Sequence, residues 1–275
     1  MSPEDLSQAP VEDESEKSPL VSGVGVCSKI GKRSEQQDSY WTPKNTSLSE
    51  TPDIPKDQTA NLLFIVADGL GGESNGLEAS QTACQVTATQ FYTETSLQEA
   101  IFLAHKEVLK IESGQGKKSG STIVVSNITE EGGQLVLHWA SVGDSRIYML
   151  RDGELTQINT DDTSYNTFKK QGMDDRAIIE IFGTLEAAKN SLDLSLGHPD
   201  LEEALDVQTD ELILQEGDRL LLCTDGLDKT LSSEEIKEIL QEQSSAQDLA
   251  EKLVGTAIDK DDAHQDNTTA LVITV

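Results

Sequence analysis

Phe64-Ile-Val-Ala-Asp68-Gly69 and Leu221-Leu-Cys-Thr-Asp225-Gly226 are two stretches of one design: a short apolar run that stops at Asp-Gly. Runs of this length, partly β-branched and bounded by a turn signal, read as strands buried on both faces. A carboxylate at the end of such a strand lies where core meets solvent, on backbone that the sheet holds rigid. The glycine after it lets another group approach the main chain closely. Taken singly, an Asp-Gly reads first as a turn former or helix cap. Two matching strand ends bring a functional-site reading level with that one.

Working outward, Val21 to Cys27 and Asp38 to Trp41 have strand character, and residues 42–60, with Pro43, Pro52 and Pro55, read as a loop. Residues 73–92 and 97–111 read as helices, the second with Ala100, Ile101, Ala104, Val108 and Ile111 on one face. A β-rich block follows. Thr122 to Ser126 and Leu135 to Ala140 are strands around the turn Glu130-Glu-Gly-Gly133, and Arg146 to Ile158 is a hairpin turning at Asp152-Gly153. Residues 160–205 are polar, with weak helical stretches. Helices are expected at 232–242 and 245–259, the first opened by a Ser232/Glu235 capping box, and Thr268 to Val275 is a closing strand. Neighbouring strands with helices grouped between them suggest an α+β layered fold.

The chain has 275 residues, enough to bury a large core without disulfides. Its 50 acidic and 21 basic residues give a formal charge of −29. That balance disfavours nucleic acid and anionic membrane as partners, because the surface repels phosphate over most of its area. An anionic substrate stays admissible, since bound divalent cations reverse the local sign. Three cysteines without C-x-x-C spacing form neither a disulfide framework nor a zinc ribbon, and fit a reducing, cytoplasmic setting. Residues 1–20 read as a disordered acidic tail with neither the basic start nor the apolar stretch of a signal peptide.

Asp38, at the start of a strand, and Asp266, just before the closing strand, stand at positions comparable to Asp68 and Asp225. If the four converge they cannot all ionise at short range without a cation. Oxygen-only ligation points to Mg²⁺ or Mn²⁺, not to zinc or copper. Two such ions roughly 3.5–4 Å apart can share a carboxylate and activate a water for in-line attack on phosphorus.

With these residues in place, the chain resembles the metal-dependent protein phosphatases (PPM, or protein phosphatase 2C) of bacterial type. The motifs run in order: Gly31-Lys-Arg-Ser-Glu-Gln-Gln-Asp38, Ala67-Asp-Gly-Leu-Gly-Gly72, Ser119-Gly-Ser-Thr122, Val142-Gly-Asp-Ser-Arg-Ile-Tyr148, Leu222-Cys-Thr-Asp-Gly-Leu227 and Gln265-Asp-Asn-Thr268. Each is weak alone; six in order at compatible spacing make a strong signal. The resemblance implies a four-layer α-β-β-α sandwich, two antiparallel sheets flanked by helices, over 21–275, with 163–200 as a variable flap beside the site. It implies two Mn²⁺ or Mg²⁺ ions. Asp68 would bridge them, Asp225 and Asp266 would hold the first, and the Gly69 carbonyl and Asp38 would serve the second, Asp38 directly or through a water. Arg33 would bind the substrate phosphate, for which its planar fork is suited. Substrates would be phosphoserine and phosphothreonine in proteins, reversing a partner Ser/Thr kinase, by an enzyme expected to be monomeric. Gly143-Asp144-Ser-Arg146 matches a structural turn, expected to be tied by an Asp144–Arg146 or backbone bond.

Four departures qualify this. Gln37 stands where many members have a metal-binding Glu, which weakens one contact at the second ion. Leu70 replaces a His proposed elsewhere as general acid, so protonation of the leaving alkoxide falls to a metal-bound water or another group. Asp161-Asp-Thr-Ser164 replaces Asp-His-Ser. Gln115 and Lys117, with no Asp nearby, stand where a third ion would be held, so two ions are expected. The histidines 105, 138, 198 and 264 are scattered and read as surface or satisfied groups. Among rival readings, Asp225 to Leu231 lacks the spacing of an aspartyl-nucleophile loop, and no G-x-x-x-x-G-K-[ST] exists. The remaining alternative is an inactive scaffolding protein of the same fold.

Overall fold

The computed structural model describes residues 20–43, 61–71, 75–93, 95–111, 119–201, 205–260 and 263–275. The expected tail apart from Leu20, most of the 42–60 loop, Gly72, Gln115 and Lys117 lie outside the described residues.

In chain order the elements are β1 (Gly23–Lys29), β2 (Asp38–Trp41), β3 (Asn61–Leu70), α1 (Asn75–Phe91), α2 (Leu97–Val108), β4 (Gly120–Ser121), β5 (Ile123–Glu131), β6 (Gln134–Val142), β7 (Arg146–Arg151) and β8 (Glu154–Gln157). Then come α3 (Ser164–Lys170), α4 (Asp175–Phe182), α5 (Leu185–Lys189), β9 (Gln208–Ile213), β10 (Arg219–Cys223), α6 (Asp225–Asp228), α7 (Ser233–Leu240), α8 (Ala246–Asp259) and β11 (Thr268–Thr274). One sheet has the order β1-β11-β10-β7-β8; the other has β2-β3-β5-β6-β9, with β4 attached to β3. All named strand pairs are antiparallel.

The two apolar runs are continuous because both faces of their strands are covered. In β3, Leu63, Ile65 and Ala67 pack under α1 and α2, whereas Phe64 and Val66 point into the layer between the sheets. In β10, Leu221 and Cys223 pack under α7 and α8, whereas Leu220 and Leu222 join that central layer. β11 divides likewise, with Ala270 and Val272 on the helix side and Leu271 and Ile273 inside. Three apolar layers between four structural layers realise the expected α-β-β-α sandwich.

The capping box at Ser232 is present: its hydroxyl takes the Glu235 N–H while the Glu235 carboxylate takes the Ser232 N–H. Several expectations shift. Asp225 does not end β10 but opens the one-turn helix α6, with Thr224 as its N-cap. The helix expected over 97–111 stops at Val108. β9, an edge strand with four of its six residues exposed, was hidden in a stretch with too little apolar alternation to read. The polar stretch after residue 160 holds three short helices, α3 to α5, of five to eight residues each. Among the described residues no helix is long and apolar enough to cross a membrane. Cys27, Cys84 and Cys223 are free thiols.

Candidate active site

The central layer changes character at one end. Side chains two residues apart share a face of a strand, and six strands lead from an apolar residue in that layer to a polar one in the strand or one residue beyond its end. They go from Tyr40 to Asp38, Val66 to Asp68, Val124 to Thr122, Ile147 to Ser145, Leu222 to Thr224 and Leu271 to Thr269. Pairing brings these ends together. Asp38 is the Cα partner of Asp68 across β2 and β3, and Thr224 Oγ1 takes the Thr269 N–H at 3.0 Å.

Asp38 is 2 % exposed. Its Oδ2 accepts from Thr269 Oγ1 at 2.6 Å and from Thr224 Oγ1 at 2.8 Å, while its Oδ1 is buried with no hydrogen-bond partner. Burial, with Asp225 and Asp266 nearby, pushes its carboxyl up to about 7 against the pull of the two threonine hydroxyls. Burial and then the charges of Asp38, Asp225, Asp144 and Asp266 push Asp68 well above the usual carboxylate range. These mutual effects place Asp38, Asp68, Asp225 and Asp266 in one electrostatic cluster, with Asp144 as a fifth member.

The backbone of Asp68 is clamped by the Ser-Gly-Ser-Thr stretch. Its N–H donates to Thr122 Oγ1 at 3.0 Å, and its carbonyl takes the Thr122 N–H at 2.9 Å and the Ser121 hydroxyl at 3.1 Å. Thr122 Oγ1 lies 2.7 Å from Ser145 Oγ, which anchors the clamp to the turn before β7. The two glycines after the aspartates are sites of close approach. A Cβ at Gly69 would stand 1.9 Å from the Gly76 carbonyl oxygen, and one at Gly226 would stand 2.1 Å from that of Asn267. The Gly69 N–H also donates to the Gln37 carbonyl at 3.1 Å, and the Gln37 side-chain amide fills the space beside Gly76.

Asp225 and Asp266 are turned onto cations of the chain itself. Lys229 Nζ lies 2.5 Å from Asp225 Oδ2, and the Arg33 guanidinium contacts Asp266 Oδ2. Arg33 is 57 % exposed, on a segment held by the Lys32 N–H to Gln265 carbonyl bond of 2.9 Å. Among the described residues no three His, Cys, Asp or Glu side chains close on a single point.

Of the two ties expected at the Gly143 to Arg146 turn, the Asp144–Arg146 one is not formed, whereas a backbone one is, from the Asp162 N–H to the Gly143 carbonyl at 2.9 Å. Arg146 instead reaches Asp161 Oδ2 at 2.6 Å and Asp228 Oδ2 at 2.8 Å, and the Gly143 N–H donates to Asp162 Oδ2 at 3.0 Å. Asp161 thus works as the arginine's partner, and the pair lines a cleft of about 540 Å³ that α3 and α5 flank. Lys229 escaped the sequence reading, although its spacing of four from Asp225 is the signal that could have found it. His105 is buried and its Nδ1 takes the Gly197 N–H at 3.1 Å. His138 pairs with Glu131 at 2.7 Å, away from the carboxylate cluster.

A family model described as protein phosphatase 2C matches residues 53–256. The chain belongs to the protein phosphatase 2C family. It is 31 % identical to the serine/threonine phosphatase stp of Listeria monocytogenes serotype 4b over 222 residues, 77 % of this chain and 83 % of that protein. It is 31 % identical to the protein phosphatase PhpP of Streptococcus pneumoniae serotype 2 over 208 residues, 70 % of this chain and 78 % of that one. The catalytic domain of PstP, solved with two manganese ions, superposes with a TM-score of 0.66 at 26 % identity, covering 92 % of this chain and 98 % of the domain. The Streptococcus agalactiae serine/threonine phosphatase shares the fold with a TM-score of 0.70 at 23 % identity, over 92 % of this chain and 98 % of that one.

Within this protein phosphatase 2C chain the donor set suits a hard divalent cation. Every side chain in the cluster offers carboxylate oxygen, and Asp38 Oδ1 and Asp225 Oδ1 are buried without hydrogen-bond partners. A buried ionised oxygen of this kind is costly unless something positive meets it.

Proposed function

We propose that this chain hydrolyses phosphoserine and phosphothreonine in proteins, opposing a Ser/Thr kinase, with two Mn²⁺ or Mg²⁺ ions held by Asp38, Asp68, the Gly69 carbonyl, Asp225 and Asp266. The observation that carries this reading is the ladder pairing of Asp38 with Asp68 at the polar end of the central layer, beside Asp225 and Asp266. The mutual repulsion of four carboxylates is relieved by divalent charge. Such ions, when bound, would lower the pKa of water and offset the charge of the phosphate.

The chain's own residues do the rest. Thr224 and Thr269 fix one oxygen of Asp38 and leave the other, buried, without a hydrogen-bond partner and so available to a cation. Thr122 and Ser121 fix the backbone on which Asp68 sits. Arg33, exposed and paired with Asp266, would present its fork to the substrate phosphate. The acidic surface suits target segments rich in Lys and Arg. The same reading takes the protein to act as a monomer in the cytoplasm.

The deciding experiment is hydrolysis of p-nitrophenyl phosphate and of a phosphothreonine peptide with Mn²⁺, Mg²⁺ or EDTA. Turnover that needs the divalent cation is expected. No turnover by folded protein with either metal would replace this reading with that of an inactive scaffold.

A further inference from the structure

Lys229 stands in a position that the metal-centre reading does not use. It is the C-cap residue of α6, four residues after Asp225, and its N–H closes the turn onto the Asp225 carbonyl at 3.0 Å. An Asp followed at i+4 by Lys is the favourable order for a side-chain pair on a helix, so the local fold itself directs the ammonium back onto Asp225. That contact is 2.5 Å, and the same Nζ lies 3.5 Å from Asp144 Oδ2 in the turn between β6 and β7. The carboxylates are 16 % and 11 % exposed and the lysine side chain 41 %. One cation of the chain therefore bridges two nearly buried carboxylates that come from different sheet connections.

The distribution of charge around the cluster gives this bridge a meaning. Asp266 has Arg33, and Asp228 has Arg146. Among the described residues no Lys or Arg ion pair reaches Asp38 or Asp68, the two that face each other across the ladder. Asp144 is as buried as a ligand would be and adjoins Asp225, yet its positive neighbour is an ammonium on a helix end. A tethered ammonium is permanent at neutral pH and cannot be washed out by a chelator.

We infer that Lys229 is a positioning residue that occupies, with its ammonium, the space between Asp144 and Asp225 where a further divalent cation would otherwise bind, and so keeps Asp144 out of the metal centre. The inference rests on the reading of Asp225 as a metal ligand. It adds that the centre's size is set by a lysine as well as by its carboxylates.

Calorimetric titration of the full chain with Mn²⁺, alongside Lys229→Ala, Lys229→Arg and the double variant Lys229→Ala/Asp144→Asn, tests this. Two ions are expected for the wild type and for Lys229→Arg, three for Lys229→Ala, and two again for the double variant. Two ions in both wild type and Lys229→Ala would overturn the inference while leaving the metal-centre reading intact. No binding by folded wild type would overturn that reading instead. Melting in EDTA then still decides the bridge without metal. Lys229→Ala should melt roughly 2–4 °C lower than wild type, and the added Asp144→Asn should restore most of the loss. An unchanged melting temperature in Lys229→Ala would show that the ammonium holds nothing and would overturn the inference.

Discussion

Asp38 and Asp68 are opposite each other in the β2–β3 ladder, with both side chains on the face between the sheets. Like charges directly across a ladder destabilise it, and here burial magnifies the effect by pushing both carboxyls upward. Asp68→Asn removes the charge repulsion of that pair. The metal-free variant should melt about 2–4 °C above wild type, while kcat falls by more than the ~100-fold typical of losing a supporting partner. Differential scanning fluorimetry in EDTA and a phosphopeptide assay give the two numbers; a variant less stable than wild type would contradict the conflict.

The same shifts set a pH dependence for the metal-free protein. Asp38 is raised from 3.8 to about 7, and Asp144 and Asp162 from 3.8 to about 6, all chiefly by burial. A raised carboxyl binds more protons folded than unfolded, so stability falls as pH rises between the unfolded and folded values. In EDTA the protein should therefore melt higher at pH 5.5 than at pH 8. Saturating Mn²⁺ should flatten or reverse the trend, because the cation favours the ionised form.

Asp225→Asn keeps the shape of the side chain and removes its charge. Because Asp225 is held by α6 and Lys229 and not by the hydrophobic core, the fold should survive. Turnover should drop by more than roughly 100-fold, read as kcat with circular dichroism as the control for folding. Unchanged kcat would remove Asp225 from the centre.

Arg33→Ala should act on substrate binding. Charge-assisted hydrogen bonds are worth about 1.5–3 kcal/mol, so KM for a phosphopeptide should rise roughly tenfold or more, with a smaller effect on kcat. Equal KM values would leave Arg33 as the partner of Asp266 only.

Thr122→Val tests the clamp beneath Asp68. It removes the acceptor of the Asp68 N–H and the link to Ser145. An unsatisfied buried N–H costs about 1–3 kcal/mol, so the melting temperature should fall and kcat should fall more than KM changes. A variant with wild-type stability would mean that this amide finds another partner.

The sandwich was legible because its signals are local and repetitive. Residues such as Phe64 to Ala67 and Leu220 to Cys223 are apolar at every position, which happens only where both faces are covered. The aspartates were legible as motif ends, and Ser232 with Glu235 as a helix start. What stayed hidden depends on approach across the fold. Thr224, a helix cap, and Thr269, in a strand, look ordinary until each is seen on Asp38, 186 and 231 positions away. Arg146 lies two residues from Asp144, and adjacency suggested a tie. Residues i and i+2 on a strand share a face, but Asp144 precedes β7 in a turn, so the arginine meets Asp161 and Asp228 instead. β9 escaped because an edge strand needs few apolar residues.

The hydrogen bonds from β11 to Asp38 also have a bearing on biosynthesis. A ribosome that has released β2 and β3 but not yet residue 269 has made two of the acids without the hydroxyl that steadies one of them. β11 is also the strand that joins β1 to β10. A nascent or truncated chain short of this strand lacks both the hydroxyl on Asp38 and the strand that joins β1 to β10, and is expected to be inert rather than partly active.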